Sequence, residues 1–259
     1  MPKTIFHKWF ENQITLCNPF NNKQTNIKIH DNIDIASDSI SFQNRIFIMG
    51  EKVYQVDLAQ AALIAKAEMI TKKTLFTLCI STSYIYSIGG HISGVIRDCE
   101  KYNVYENKWY ALPELAIPRR FCAAFPFNYE YVYAIGGSGE SYELSSIEKL
   151  DMSRLEKWDL LDVAHEFFTP RHNMHGMQIN EKEAIFFGGY NNCYYADSYI
   201  LDLSGKEAKC TKGPSLPQEA DFYVCSAPMI INGNMYCVSN KRDLYCLKMK
   251  SLNWDILTN

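Results

Sequence analysis

The sequence predicts an all-β propeller, which is a ring of small twisted sheets. Three observations lead to this prediction. Aromatic residues, which favour strands, make up 14% of the chain. Three apolar runs of strand length each end in a Gly-Gly doublet, and the doublets are spaced by 47 and 52 residues. A period of about 40–50 residues that holds four short strands is typical of propeller blades.

Each element of the repeat can be placed from the glycine doublets. Another strand follows each doublet, and the element after that strand carries a large residue in most units. A Pro-Arg pair then leads into the innermost strand of the next unit. The doublets are Gly89-Gly90, Gly136-Gly137 and Gly188-Gly189, and the third-strand residues are Trp109, Trp158, Cys210 and Trp254.

The spacing of these repeated residues, which we call the phase of the repeat, divides the chain into five full units and one partial unit. The full units span about 36–70, 71–116, 117–168, 169–219 and 220–257, and residues 3–30 add three strands without an inner one. We expect a single domain over residues 1–259 with about six blades. The sixth blade is either incomplete or completed by another segment or by a partner. The alternative to six blades is a ring that closes with five. An unpaired inner edge would invite strand addition.

Two segments with helical propensity are interpreted from the same phase. Ala59 to Lys66 falls where an outer strand is due, and Asp162 to Phe168 falls where a turn is due. Sequence propensity alone would allow a helix at both places. We therefore predict a strand for the first segment and a turn for the second.

The repeated residues resemble the kelch repeat. The pattern of that family is an apolar strand, Gly-Gly, a Tyr, a Trp several residues later and then Pro-Arg, and residues 74–220 match it best. The resemblance implies a propeller whose glycines and large aromatic residues are structural. The residues that match these structural positions are Gly89, Gly90, Tyr102, Trp109, Gly136, Gly137, Trp158, Gly188, Gly189 and Trp254.

Elementary chemistry agrees with these structural roles. Glycine can take a positive φ after a strand and lets a neighbouring backbone come close. Tryptophan on an outer strand supplies a large apolar area where blades meet. Arginine before an inner strand can donate several hydrogen bonds to carbonyl groups of the next blade.

Partner binding is expected on the face formed by two sets of loops. One set joins the second and third strands, and the other leads into the innermost strand. Arginine and tyrosine are favoured interface anchors, and the resemblance adds that some kelch propellers hold acidic peptides with arginines before the inner strand. A structural role between blades is the alternative for each arginine. The candidate partner-binding residues are His91, Arg119, Arg120, Tyr142, Arg171, Tyr190, Asn191 and Tyr223, with Ser93, Arg97, Ser138, Glu140, His172 and Asn192 in the same loops.

No ordered catalytic or metal-binding constellation is visible in the sequence. His172 and His175 are three residues apart, and that spacing places side chains on opposite faces of a strand. The run from Gly136 to Ser141 lacks the lysine of a phosphate-binding loop and the last glycine of a nucleophile elbow. Cys210 takes the position of an outer-strand tryptophan, so we interpret it as a core residue. We expect no catalytic residues, no metal and no cofactor.

The function predicted from these observations is a noncatalytic protein-protein interaction module. The resemblance implies a peptide or protein partner, such as a cytoskeletal or ubiquitin-ligase component. A structural subunit of a larger assembly is one alternative, and a metal-dependent enzyme on a propeller scaffold is another. The formal net charge of -3 disfavours nucleic-acid binding.

The expected compartment is the reduced cytoplasm, and no membrane contact is expected. The chain has 9 cysteines and no C-x-x-C pair, and its beginning lacks the apolar core of a signal peptide. Two stretches without charge, 74–96 and 222–240, are divided by turn-forming residues into runs of strand length.

Overall fold

The computed structural model describes residues 6–10, 13–17, 24–28, 38–42, 45–50, 52–163, 168–205, 207–220, 222, 227–239, 241 and 243–257. Within these ranges every regular element is a β-strand. The same ranges contain no helix with the length and apolar character that crossing a bilayer requires.

The described strands form one three-stranded sheet, which we call the terminal sheet, and five four-stranded sheets, which we call blades I to V. The terminal sheet contains β1 (Phe6–Phe10), β2 (Gln13–Cys17) and β3 (Gln24–Lys28). Blade I contains β4 (Asp38–Phe42), β5 (Arg45–Met49), β6 (Val53–Asp57) and β7 (Ala62–Ala65). Blade II contains β8 (Thr77–Ser81), β9 (Tyr84–Ile88), β10 (Cys99–Asn103) and β11 (Lys108–Leu112). Blade III contains β12 (Ala123–Phe127), β13 (Tyr131–Ile135), β14 (Ile147–Asp151) and β15 (Trp158–Leu161).

The two remaining blades follow the same plan with one addition. Blade IV contains β16 (His175–Gln178), β17 (Glu183–Phe187), β20 (Ser198–Asp202) and β21 (Lys209–Lys212), and a hairpin of β18 (Tyr190–Asn191) and β19 (Cys193–Tyr194) lies between its second and third strands. Blade V contains β22 (Met229–Ile231), β23 (Asn234–Val238), β24 (Leu244–Lys248) and β25 (Asn253–Ile256). All strand pairs are antiparallel, and paired strands are consecutive in sequence in every sheet except that of blade IV. There β17 pairs with β20, because the hairpin β18–β19 lies between them.

The sheets follow one another around a ring, as predicted for a propeller. Innermost strands contact innermost strands, β4 with β8, β8 with β12 and β12 with β16. Strand β1 contacts both β4 and β23, so the terminal sheet lies between blade I and blade V. The prediction of an all-β propeller with about six blades is therefore confirmed, with three strands described in the sixth.

Four clusters of the hydrophobic core lie between blades. One cluster joins blades I and II, a second joins II and III, a third joins III and IV, and a fourth joins IV and V. Blade III, for example, packs Val132 against blade II and Tyr133 against blade IV. Neighbouring strand residues point to opposite faces of a sheet, so each blade needs a neighbour on both sides.

The outer-strand tryptophans reinforce the packing between blades. The indole N–H of Trp109 donates to the carbonyl of Ala67 at 2.9 Å, and that of Trp158 donates to the carbonyl of Pro113 at 3.1 Å. Trp254 donates in the same way to Pro214 at 3.1 Å. Each bond joins an outer strand to the end of the preceding blade. Cys210 pairs with Leu201 in the position that Trp158 has opposite Leu150, and so takes the tryptophan position in blade IV.

The glycine doublets lie at the closest approach of two backbones. Gly89 has a φ of 60°, and a β-carbon on it would lie 2.1 Å from the carbonyl oxygen of Arg119. The N–H of Gly90 donates to that same carbonyl at 2.9 Å. Glycine is needed here because a side chain would clash with the next connecting segment and would be strained at this φ.

One of the two segments with helical propensity contains a strand, and the other lies partly outside the described residues. The segment from Ala59 to Lys66 contains β7, as predicted, and the turn expected at 162–168 falls partly on residues 164–167, which are outside the described residues. The arginines lie in connections that end before the innermost strands, since β12 begins at Ala123 and β16 at His175. His172 therefore lies outside the strand on which the sequence spacing placed it.

Candidate interaction face

The two sets of loops expected to form the binding face do lie together. The loops between second and third strands span 89–98, 136–146 and 188–197, and each is tied to the connection that leads into an innermost strand. Isolated antiparallel bridges join Thr74 to His91, Arg120 to Ser138, and His172 to Tyr190. The loops are thus held by backbone hydrogen bonds to rigid blades, and their side chains form one surface, which we call the loop face.

Three cations lie beneath this face, each in the connection before an innermost strand. Lys73, Arg119 and Arg171 are each at most 1% exposed. Lys73 donates to the carboxylate of Asp98 at 2.7 Å, and Arg119 donates to Glu148 at 2.6 Å. Arg171 makes a bidentate contact with Asp197. Because buried charges need partners, these three pairs are part of the framework of blades II, III and IV.

The arginines also bond to the glycine doublets of the blades that they precede. Arg119 donates to the carbonyl of Gly136 at 2.8 Å, and Arg171 donates to that of Gly188 at 3.3 Å. The structure therefore favours the structural alternative that the sequence left open for Arg119 and Arg171. Lys73 has the same role and was not identified from the sequence. Its position 16 residues before Gly89 matches the 17 residues from Arg119 to Gly136, and this spacing could have identified it.

Two carboxylates beside these cations have pKa values that are shifted in opposite directions. Burial raises the pKa of Asp197, but the Arg171 guanidinium outweighs this effect and holds the pKa below its ordinary value. Burial raises the pKa of Glu100 above its ordinary value, because the Lys73 ammonium, 3.8 Å away, compensates only in part. A close hydrogen-bonded ion pair offsets desolvation, and a more distant one does not.

The exposed part of the loop face includes a cluster between blades III and IV. Nδ1 of His172 lies 2.9 Å from Oε2 of Glu143. The His172 ring lies 5.9 Å from the Phe121 ring and 5.6 Å from the Tyr190 ring, measured between centroids. The guanidinium of Arg120 lies 5.8 Å from the centroid of Phe121. Arg120 and Tyr190 are both partly exposed, so this cluster offers charged and aromatic groups to a partner.

A pocket of about 580 Å³ opens beside this cluster. Its lining includes Tyr142, Glu143 and Asn191, from the loops of blades III and IV. Tyr142 is 69% exposed. The amide of Asn191 donates to the carbonyl of Pro170 at 2.8 Å, which fixes its orientation. Glu143 was not singled out from the sequence, because only the fold brings it beside His172.

The other candidate residues of the loop face differ in their solvent exposure. His91 is partly buried, whereas Ser93, Arg97, Glu140 and Asn192 are exposed and Ser138 is buried. Tyr223 lies outside the described residues. The expected aromatic loop from Tyr190 to Tyr195 contains the hairpin β18–β19, whose turn residue Asn192 has a φ of 59°. The Arg171 guanidinium lies 3.7 Å from the centroid of Tyr195 and anchors the base of this hairpin.

The groups considered for chemistry lie apart or are buried. His172 contacts Phe121 and Tyr190, whereas His175 contacts Phe187 and Phe222. Among the described residues no group of three or more His, Cys, Asp or Glu side chains could hold a metal ion.

Seven cysteines of the described ranges are reduced thiols. Cys79, Cys99, Cys122, Cys237 and Cys246 are buried, Cys210 is partly buried and Cys193 is exposed. Burial raises the pKa of Cys210 to about 11 and that of Cys99 to about 12. Thiols with raised pKa values are weak nucleophiles at neutral pH, and this agrees with a core role for Cys210.

Comparison with known proteins identifies the repeat. A family of kelch motifs matches residues 73–116, which run from Lys73 through the whole of blade II. Kelch repeat and BTB domain-containing protein 2 of cowpox virus (strain GRI-90 / Grishak) is 26% identical over 130 residues, or 50% of this chain. The protein of the same name in ectromelia virus (strain Moscow) is 27% identical over 133 residues, or 48% of this chain. The chain spans 23% of the length of each of these relatives. The kelch motif over residues 73–116, the repeated glycine doublets and the blades show that this chain is similar to kelch-repeat proteins.

Proposed function

We propose that this protein is a noncatalytic interaction module that binds a peptide or protein partner through the loop face. The kelch motif match and the propeller fold support an interaction role in general. The loop face supports the specific mode, because loops tied to rigid elements commonly carry binding residues. Arg120, Tyr142, Tyr190, Asn191 and His91 are the residues that we assign to partner contact.

The observation that carries this proposal is the contrast between buried and exposed groups on one face. Arg119 and Arg171 are held inside the blades and position the loops. Arg120 and Tyr142 remain accessible on those same loops. Exposed tyrosine and arginine above a rigid base are typical of interface anchors.

The proposed partner class is a cytoskeletal or ubiquitin-ligase component in the cytoplasm. The relatives above carry BTB in their names beside the kelch repeat, and this supports the ligase-related part of the proposal. The reduced thiols of seven described cysteines suit a reducing compartment. The burial of five of these thiols also supports a noncatalytic role.

A structural subunit of a larger assembly is the second candidate function. The terminal sheet contains three described strands where blades I to V contain four. A sheet edge that lacks a partner strand can pair with another chain. Light scattering of the purified full chain supports this role if it finds a stable oligomer whose formation is blocked by a proline in β1.

The interaction role is tested by selecting peptides on the full chain. A displayed library of random dodecapeptides is selected on the wild type, and the affinities of enriched peptides are then measured by fluorescence polarisation. Arg120→Ala combined with Tyr142→Ala should weaken binding about tenfold or more, since both anchors are removed. The matched control is Tyr129→Ala, because Tyr129 is 77% exposed in the turn between β12 and β13, away from the loop face. Binding that resists the double substitution, or that depends on Tyr129, would contradict the proposed site.

A further inference from the structure

The pocket beside Glu143 is lined by hydrogen-bond acceptors and an aromatic ring. Its volume is about 580 Å³ and its lining includes Ser138, Glu140, Tyr142, Glu143 and Asn191. The amide N–H of Val95 donates to Oε2 of Glu140 at 2.8 Å, which brings this carboxylate over from blade III towards blade II. The pocket therefore holds two carboxylates on a fixed framework.

The cations of the loop face do not neutralise these two carboxylates. Lys73, Arg119 and Arg171 are paired with carboxylates inside their own blades. Arg120 bonds through its backbone to Ser138 but does not line the pocket. The nearest base is His172, which supplies at most one positive charge. The pocket is consequently acidic, although arginines are frequent in the surrounding sequence.

One acceptor atom in the pocket is available to a donor. Oε2 of Glu143 is buried and faces Nδ1 of His172 at 2.9 Å. Oε2 of Glu140 accepts from Val95, which leaves Oε1 for another donor. The Asn191 amide nitrogen donates one of its two hydrogens to the carbonyl of Pro170.

The pocket also has an aromatic ring at its rim, beside the two carboxylates. The ring of Tyr142 is 69% exposed at the rim of the pocket. A cation above a tyrosine ring is stabilised by the ring quadrupole, and a guanidinium or ammonium donates well to carboxylates. A carboxylate or phosphate in this position would be repelled by Glu140 and Glu143.

We propose that this pocket binds a lysine or arginine side chain of the partner. The inference rests on the proposed function, and it specifies the chemistry of the segment that the loop face recognises. Specificity follows from repulsion as well as attraction, because acidic segments are rejected. The acidic peptide preference that the arginines of the sequence suggest is thereby reversed at this pocket.

The test uses the peptides selected on the full chain. Enriched peptides should share one lysine or arginine position. Replacing an arginine by citrulline, which has nearly the same shape, or a lysine by acetyl-lysine removes the positive charge and should weaken binding about tenfold. Glu143→Gln should cause a similar loss with the basic peptide and little further loss with the neutral one, because both changes remove the same contact.

The controls separate charge recognition from loss of folding. Glu207→Gln removes an exposed carboxylate from the loop between β20 and β21, away from the pocket, and should leave affinity unchanged. Glu140→Gln provides a second pocket variant, and the thermal unfolding of every variant is compared with the wild type.

The outcomes distinguish the two proposals. If peptides depend on Arg120 and Tyr142 but are acidic, or are insensitive to both glutamate substitutions, the basic-ligand inference is wrong and the interaction face stands. If no selected peptide depends on the loop face at all, the proposed function fails and the inference fails with it.

Discussion

Buried ion pairs decide the roles of single residues in this propeller. Arg119 and Glu148 are both fully buried, and Glu148 also accepts from the backbone N–H groups of Ala116 and Ile117 at 2.6 and 3.1 Å. One carboxylate thus holds an arginine and the connection that precedes blade III. Such a pair contributes to a unique arrangement of the chain, and removing one partner leaves the other charged and buried.

Substituting the buried arginine should destabilise the fold strongly. Arg119→Met leaves Glu148 without its cation and removes the side-chain donor of the Gly136 carbonyl. We expect the free energy of unfolding to fall by about 3–5 kcal/mol, measured by urea denaturation. Arg97→Met, at an exposed position of the same face, should change it by about 0.5 kcal/mol or less. A loss below about 1 kcal/mol for Arg119→Met would contradict the assigned role.

His175 predicts how stability depends on pH. Burial lowers the pKa of His175 from 6.5 to about 3, and its ring packs 4.8 Å from that of Phe222. The unfolded chain therefore binds a proton between these pH values that the folded chain does not bind. Stability should fall as pH decreases from about 6.5, with a slope of up to about 1.4 kcal/mol per pH unit from this residue.

The measurement compares His175→Phe with the wild type across pH. The phenylalanine keeps an aromatic ring in the site and removes the titration. The difference in unfolding free energy between the two proteins should be constant above about pH 7.5 and should shift in favour of the variant as pH falls. A difference that stays constant down to pH 4 would show that His175 is protonated in the folded protein.

At the scale of the strand, the outer strands join each blade to the preceding one. β11, β15 and β25 each carry a tryptophan that is buried against the preceding blade and donates to a carbonyl there. β21 carries Cys210 instead and has no indole donor. Among the described residues, blade IV therefore lacks one hydrogen bond that blades II, III and V make.

Removing the indole donor of an outer strand should weaken the contact between blades. Trp158→Phe retains a buried ring but leaves the Pro113 carbonyl without its donor. The free energy of unfolding should fall by about 1–3 kcal/mol in urea denaturation. Leu160→Thr on the same strand changes a side chain that is 55% exposed, and its effect should be about 0.5 kcal/mol or less. Equal effects of the two substitutions would contradict the importance of the indole bond.

At the scale of the whole molecule, stability depends on the ring rather than on any single blade. Blade III shares one core cluster with blade II and another with blade IV. A repeat that contacts only its neighbours cannot bury its faces alone. We expect residues 1–259 to unfold as one domain for this reason.

A fragment that contains one blade should not fold. Residues 117–168, which contain blade III, should show no cooperative thermal transition by far-UV circular dichroism, because both sheet faces would be exposed to water. The full chain should show a single transition under the same conditions. A cooperative transition in the fragment, or two separated transitions in the full chain, would contradict this expectation.

The fold was predictable to a large extent because its signals are local. Glycine doublets mark positions of positive φ, and alternating apolar residues mark strands. The phase of these signals also located β7 and the tryptophan position of Cys210 correctly. The terminal sheet was predicted as three strands, but only the structure shows that β1 contacts both blade I and blade V.

The candidate face was predictable in outline, and its chemistry was not. The sequence by itself determined the repeat, the blade boundaries and the loops that meet on one face, since these depend on backbone conformation and residue spacing. The tertiary structure alone decided which cations are available to a partner. Arg119 and Arg120 are neighbours in sequence, yet Arg119 is buried on Glu148, 29 residues away, while Arg120 stays accessible. The direction of a side chain and its charge partner depend on which distant strands the fold brings together, and no local pattern contains that information.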